Sequence, residues 1–159
     1  MANVYLITGF NNWGKTHLIK ALFGKEAFRK GVTHSHAGNE FCVIPQSNDD
    51  LGQAGYAKRY GEYIASLDKK GITPTHILSA FCPTGEPHND SAKLINSLYR
   101  NDDVHMILLK HKWCGHAQLQ IRSIEDYYAG IRNLKIHSLT QTNPNNKLAD
   151  LKSLLAPIL

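Results

Sequence analysis

Acidic residues are scarce in this chain of 159 residues: 13 Asp and Glu stand against 18 Lys and Arg, a formal charge of +5 with histidine neutral. The excess suits anionic ligands. It is scattered, however, and its tightest group, Lys25, Arg29 and Lys30, falls near the end of a helix-like stretch, where it complements the helix dipole. Without a concentrated basic stripe, a nucleic-acid partner has no support beyond the net charge. Cysteine is scarcer still. Cys42, Cys82 and Cys114 lie far apart, an odd, sparse set that argues against a disulfide framework and for the reduced thiols of a cytoplasmic protein. Cys42 and Cys82 sit in apolar runs and read as small core residues. No apolar run approaches the roughly 18 residues that cross a bilayer, so no membrane partner is expected. The opening residues carry no basic segment with a cleavage site, and no secretory leader is expected.

Other absences narrow the chemistry. No internal repeat, low-complexity tract or linker appears, and the length suffices for one hydrophobic core, so residues 1–159 read as a single domain. No G-x-S-x-G elbow occurs, and no cysteine pairs with a histidine and an acid at a recognisable spacing. Nine histidines invite a metal reading through His34-x-His36, or through His111 with Cys114-x-His116. Neither spacing matches the paired ligand units of a structural zinc site.

What is present is an alternation of strand-like and helix-like patterns. Short, almost wholly apolar runs at 4–7, 41–44, 76–81, 104–109 and 134–139 fit strands covered on both faces. Helix patterns occupy 15–23, 53–67, 91–99, 124–131 and 147–155, with Asp90 as a cap before Ser91 and with Gly71 and Pro74 closing the second helix. Such alternation predicts an α/β fold, a three-layer α-β-α sandwich around a mostly parallel sheet of about five strands. Ligands of open α/β sheets bind beyond the carboxyl ends of the strands. That directs attention to segments 9–16, 45–50, 82–90, 110–116 and 140–146.

The first of these segments is the most specific. Gly9-Phe-Asn-Asn-Trp-Gly-Lys-Thr16 fits G-x-x-x-x-G-K-[ST] at every fixed position, after an apolar run and before a helix pattern. Gly9 and Gly14 can take backbone angles closed to other residues, so the loop can wrap a phosphate group with its N–H groups inward. The positive end of the following helix faces the same point. Lys15 can then reach β- and γ-phosphates, and the Thr16 hydroxyl can ligate Mg²⁺. The expected nucleotide-binding residues are Gly9, Asn11, Asn12, Trp13, Gly14, Lys15, Thr16 and His17. The plain alternative is a glycine-rich turn that caps an ordinary helix.

Through this motif the chain resembles the P-loop NTPase superfamily, and the βα alternation extends the resemblance loosely over the whole length. The resemblance implies binding of a nucleoside triphosphate and Mg²⁺. Two departures qualify it. Members of the superfamily usually hold Mg²⁺ through an acid at the end of an apolar strand, whereas His76-Ile-Leu-Ser-Ala-Phe-Cys-Pro-Thr-Gly-Glu86 has Ser79 or Cys82 in that place. The run 41–44 is followed instead by Pro45-Gln-Ser-Asn-Asp-Asp50, whose paired carboxylates suit a metal site or a general base. Asp49 and Asp50, as adjacent residues, point in different directions, so at most one of them faces the nucleotide, with Asp49 favoured as metal ligand beside Thr16. The bland reading of Ser47-Asn-Asp-Asp50 is a turn and helix cap. Glu86 is a further acidic candidate.

The second departure concerns the base. GTPases with this core carry an Asn-Lys-x-Asp motif after the fourth strand, and here the segment is Leu109-Lys-His-Lys-Trp-Cys-Gly115. ATP is therefore the expected nucleotide, with GTP still open. Lys110, Lys112 and Arg122 beside Trp113 can form a basic lid over the phosphates, or simply a solvated loop. Three functions follow. The first is Mg²⁺-dependent hydrolysis of the γ-phosphate with Lys15, Asp49 and Asp50 in catalysis. The second is a small-molecule or nucleotide kinase that uses Asp49 or Asp50 as base, and the third a nucleotide sensor without turnover. A protein partner or a homodimer is left open.

Overall fold

The structure, a computed structural model, describes residues 1–110 and 117–159, and of residues 117–122 the backbone alone. In chain order the elements are β1 (Asn3–Thr8), α1 (Lys15–Phe23), β2 (His34–His36), β3 (Asn39–Ile44), α2 (Asn48–Asp68), β4 (His76–Phe81), β5 (Gly85–Glu86), β6 (Asn89–Asp90), α3 (Ser91–Leu98), β7 (Asp103–Leu109), α4 (Ala117–Tyr128), β8 (Leu134–Leu139) and α5 (Pro144–Leu155), followed by a 3-10 turn, Ala156–Ile158.

Val4, Tyr5, Leu6 and Ile7 are all fully buried. Successive strand residues point to opposite faces, so a strand apolar at every position must be covered twice. Val4 and Leu6 join a core with Tyr56, Tyr63 and Leu67 of α2, Leu94 and Ile95 of α3 and Tyr128 of α4. Tyr5 and Ile7 join a second core with Leu18, Ile19 and Leu22 of α1 and Leu151 and Leu155 of α5. The result is the expected three-layer α/β arrangement. Its sheet runs β2-β3-β4-β1-β7-β8. β1 lies at the centre, parallel to β4 (Val4 beside Ile77) and to β7 (Val4 beside Val104). All pairings are parallel except the edge, where β2 runs antiparallel to β3.

The sixth strand, β2, goes beyond the expected five. Its three residues are too few to show periodicity, and they are held by the rings of His34 and His36 against Phe23 and Phe28. That setting makes His34 and His36 aromatic packing partners. Three helices start earlier than their apolar patterns, α4 among them at 117 where the pattern begins at 124. Asn143 accepts from the N–H groups of Asn145 and Asn146, and Pro144 fits the first turn, so α5 begins at 144. α2 begins at 48 and is interrupted at Gly52 (φ 73°, ψ 170°), just before the predicted start at 53. α4 ends at Tyr128, and Ile131 reaches the core from the turn beyond it. At the amino-terminal end of the sheet, Tyr5 stacks between His76 and His105 at centroid distances of 6.2 and 5.4 Å, and its hydroxyl donates to Ile158 O at 2.6 Å. No helix of the described residues is long and apolar enough to cross a membrane.

Candidate functional site

The loop between β1 and α1 is shaped by its glycines. Gly9 N donates to Phe81 O at 3.1 Å, so the loop leaves the sheet beside the end of β4. A Cβ on Gly9 would lie 3.1 Å from Trp13 Cε3 and 3.3 Å from Trp13 Cβ, so glycine lets the indole pack closely here, although Gly9 does not adopt the left-handed backbone angles expected of it. Trp13 N donates to Phe10 O at 3.2 Å and closes the turn. Asn12 (φ 64°) and Gly14 (φ 83°) are left-handed, a conformation that Asn tolerates and that glycine adopts without cost. Gly14 O accepts Leu18 N at 3.0 Å and opens α1. α2, α3 and α5 begin on side-chain caps from Ser47, Asp90 and Asn143, whereas Gly14 offers none. The first N–H groups of α1 therefore face outward at the positive end of the helix.

Lys15 is 8% exposed and donates from Nζ to Gly9 O and Phe10 O, folding back along the loop. Burial holds its pKa below the ordinary lysine value, with Cys82, Asp50 and Asp49 acting in the opposite sense. Thr16 Oγ1 lies 3.5 Å from Pro45 O and so brings the start of α1 against the exit of β3. Between these segments opens a hollow of about 210 Å³. Residues 11–17 line it, joined by Asp50 from α2. All the expected nucleotide-binding residues but Gly9 thus share one wall.

Asp50 serves two purposes. Its Oδ2 accepts from Ser47 N at 3.0 Å and Ser47 Oγ at 3.2 Å, while Ser47 Oγ accepts from the N–H groups of Asp49 and Asp50, a complete capping box. The cap reading of Ser47-Asn-Asp-Asp50 holds, and the capping acid reaches the hollow as well. Asp49 is exposed one position earlier and is not among the lining residues.

β4 ends without a carboxylate. Ser79 points to the α2 side, where its hydroxyl accepts from Tyr56 OH at 2.8 Å and donates to Ala80 O, and Tyr56 OH lies 2.8 Å from Tyr99 OH. Cys82 is left in the place of the acid. It is buried, and that burial pushes its thiol up to about 11, with Lys15 pulling the other way.

Sequence reasoning missed Asn48. Fully buried, it accepts from Cys82 N at 2.7 Å through Oδ1. Its Nδ2 lies within 3.0 Å of Cys82 O and Thr84 Oγ1 and 3.1 Å of Asn89 Oδ1. Asn89 Nδ2 returns a bond to Asn48 O at 2.9 Å. Beside a Ser-Asn-Asp-Asp run an asparagine reads as a turn residue, and nothing local marks partners 34 to 41 positions away.

The remaining candidates are dispersed. Glu86 is exposed on the β5–β6 hairpin and does not line the hollow. Asp90 caps α3 as expected and also accepts the Tyr127 hydroxyl. Lys110 follows β7, its N–H bonded to Leu139 O at 3.0 Å. His111, Lys112, Trp113, Cys114 and His116 lie outside the described residues, as does the Arg122 side chain. Among the described residues no group of three or more His, Cys, Asp or Glu gathers at metal-binding distance.

No family model matches the sequence, and no curated protein matches it. Among solved structures, a shikimate kinase from Bacteroides thetaiotaomicron is similar at a TM-score of 0.36 and 13% identity, over 97% of this chain and 98% of that chain.

Proposed function

We propose that the hollow beyond β1 binds the phosphates of a nucleoside triphosphate, ATP by default, together with Mg²⁺, and that the protein hydrolyses the γ-phosphate. One observation carries the reading: the uncapped start of α1, Lys15 and Asp50 line the same hollow. The loop N–H groups and Lys15 would hold phosphate oxygens, Lys15 exchanging its bonds to Gly9 O and Phe10 O for them. An arriving phosphate raises the affinity of Lys15 for its proton, against the burial that lowers it.

Mg²⁺ is bound by hard oxygen donors, commonly one or two carboxylates with substrate phosphates. Thr16 Oγ1 and Asp50 fit that set; the capping box engages Oδ2 of Asp50 and leaves Oδ1 outside it. The bound ion would neutralise charge that builds up on the transferring group. Asp50, with Asp49 beside it, would also orient water and take its proton. A kinase reading uses the same wall. It draws on the exposure of Asp49 next to the hollow, where its carboxylate can accept the proton of an acceptor hydroxyl.

Thermal unfolding with ATP, GTP or ADP, each with and without Mg²⁺, tests the reading. At a hundredfold excess over Kd a ligand adds about 2.7 kcal/mol, a rise of roughly 5–10 °C in Tm for a chain of this size. Mg-ATP should give that rise in the wild type and none in Lys15→Ala. An unchanged midpoint with every nucleotide overturns the proposal. Phosphate released to water, measured against phosphate passed to added alcohols, then separates hydrolysis from the kinase reading.

A further inference from the structure

We propose that Asn48 is a positioning residue that holds Asp50 at the hollow, so that the acid missing from the end of β4 is delivered from α2. The inference rests on the Mg²⁺–nucleotide reading of the hollow. The turn that carries Asp50, residues 48–51, is not held by helix continuity, because Gly52 breaks α2 immediately after it with φ 73° and ψ 170°. Two hydrogen-bonded devices hold it, beside the packing of Leu51 against the core. The Ser47–Asp50 box fixes its inner geometry, and Asn48 fixes its place in the molecule.

The Asn48 side-chain amide engages both the N–H and the C=O of Cys82, as a neighbouring strand's backbone would. Cys82 is the residue just past β4, where an Mg²⁺-binding acid is otherwise expected. The same amide reaches Thr84 and Asn89, and Asn89 bonds back to Asn48 O. The acid-bearing turn is thereby docked onto the vacant strand end, with Asp50 two residues along on the hollow side. Groups that orient a metal ligand typically affect metal affinity 10- to 100-fold when removed.

The test is a double-mutant cycle read by calorimetry: the Kd of ATP in excess Mg²⁺ and in EDTA, for wild type, Asn48→Ala, Asp50→Asn and the double variant. Asn48→Ala should lose about tenfold of the Mg²⁺-dependent gain in affinity while its EDTA value stays within about twofold. In the Asp50→Asn background the same change should cost nothing further, a non-additivity that a purely structural role does not produce. If Asn48→Ala fails to fold, Asn89→Ala removes the outer half of the clamp and should show a smaller loss of the same kind. A full Mg²⁺ gain in a folded Asn48→Ala, or in Asn89→Ala where that variant replaces it, or losses that multiply in the double variant, overturn the inference alone. Wild type that binds no nucleotide overturns the site reading and the inference together.

Discussion

At the scale of single residues, the loop uses its two glycines for different reasons. Gly9 is favoured by space, because a Cβ there would come within 3.1 Å of the Trp13 ring and the indole would have to give by a few tenths of an ångström. Gly14 has nothing within 4 Å of a Cβ and is required by torsion alone, at φ 83°. The fixed spacing of Gly, Lys and Thr led to the expectation that both glycines take backbone angles closed to other residues. Gly14 does, whereas Gly9 is not in the left-handed region and its tightness comes from Trp13, which the spacing does not disclose. The role of Asp50 was legible only in half. Capping and ligand contact call for the same residue type at the same helix position, so the sequence left them as rivals; in the structure the residue that completes the cap also lines the hollow. Asp50→Asn separates them. The amide oxygen still accepts from Ser47 N–H, so urea unfolding should shift by less than about 1 kcal/mol. Phosphate release should fall at least about a hundredfold, since the amide cannot take a proton. Turnover that survives the change removes Asp50 from the chemistry.

At the scale of elements, what was legible follows from how local each signal is. β1, β3, β4 and β7 announce themselves by mostly apolar runs, and α1 by Leu18, Ile19 and Leu22 on one face. β8, by contrast, carries Lys135, His137 and Ser138 and, at the edge of the sheet, is not covered on both faces as its run suggested. β2, with three residues, and the β5–β6 hairpin, with two in each arm, are too short for any period. The Asn48 clamp belongs to the long-range class, invisible before the chain is folded. α2 is the instructive case: its apolar pattern begins after Gly52, and its first turn is a separate piece tied elsewhere. Gly52 sits in a region of backbone angles open essentially to glycine, and a Cβ there would meet nothing within 4 Å. Gly52→Ala should therefore cost of order 1–3 kcal/mol from torsion alone. In urea denaturation this would appear as a lower midpoint at unchanged m-value. A wild-type midpoint would mean that the turn and the rest of α2 re-join without strain.

At the scale of the whole molecule, histidine is distributed through the sheet and its flank. Burial lowers the pKa of His34, His36, His76, His105 and His137. A base whose folded pKa lies below its unfolded value near 6.5 contributes its full stability above 6.5 and loses it as pH falls toward the folded value, because the unfolded chain binds the proton first. Denaturation at pH 7.5 and at 5.5 should show a lower midpoint at 5.5. Carboxylates held below their usual range, such as Glu40 and Asp90, are lost only at lower pH and do not enter this window. Equal midpoints would show that these rings accept protons as readily folded as unfolded. The central place of β1 has a consequence in time. Its neighbours are residues 76–81 on one side and 103–109 on the other. A ribosome adds roughly 5–20 residues per second, so the strand that launches the glycine-rich loop waits several seconds or more for its second flank. The glycine-rich loop is thus encoded well before the last strand that flanks its launching strand.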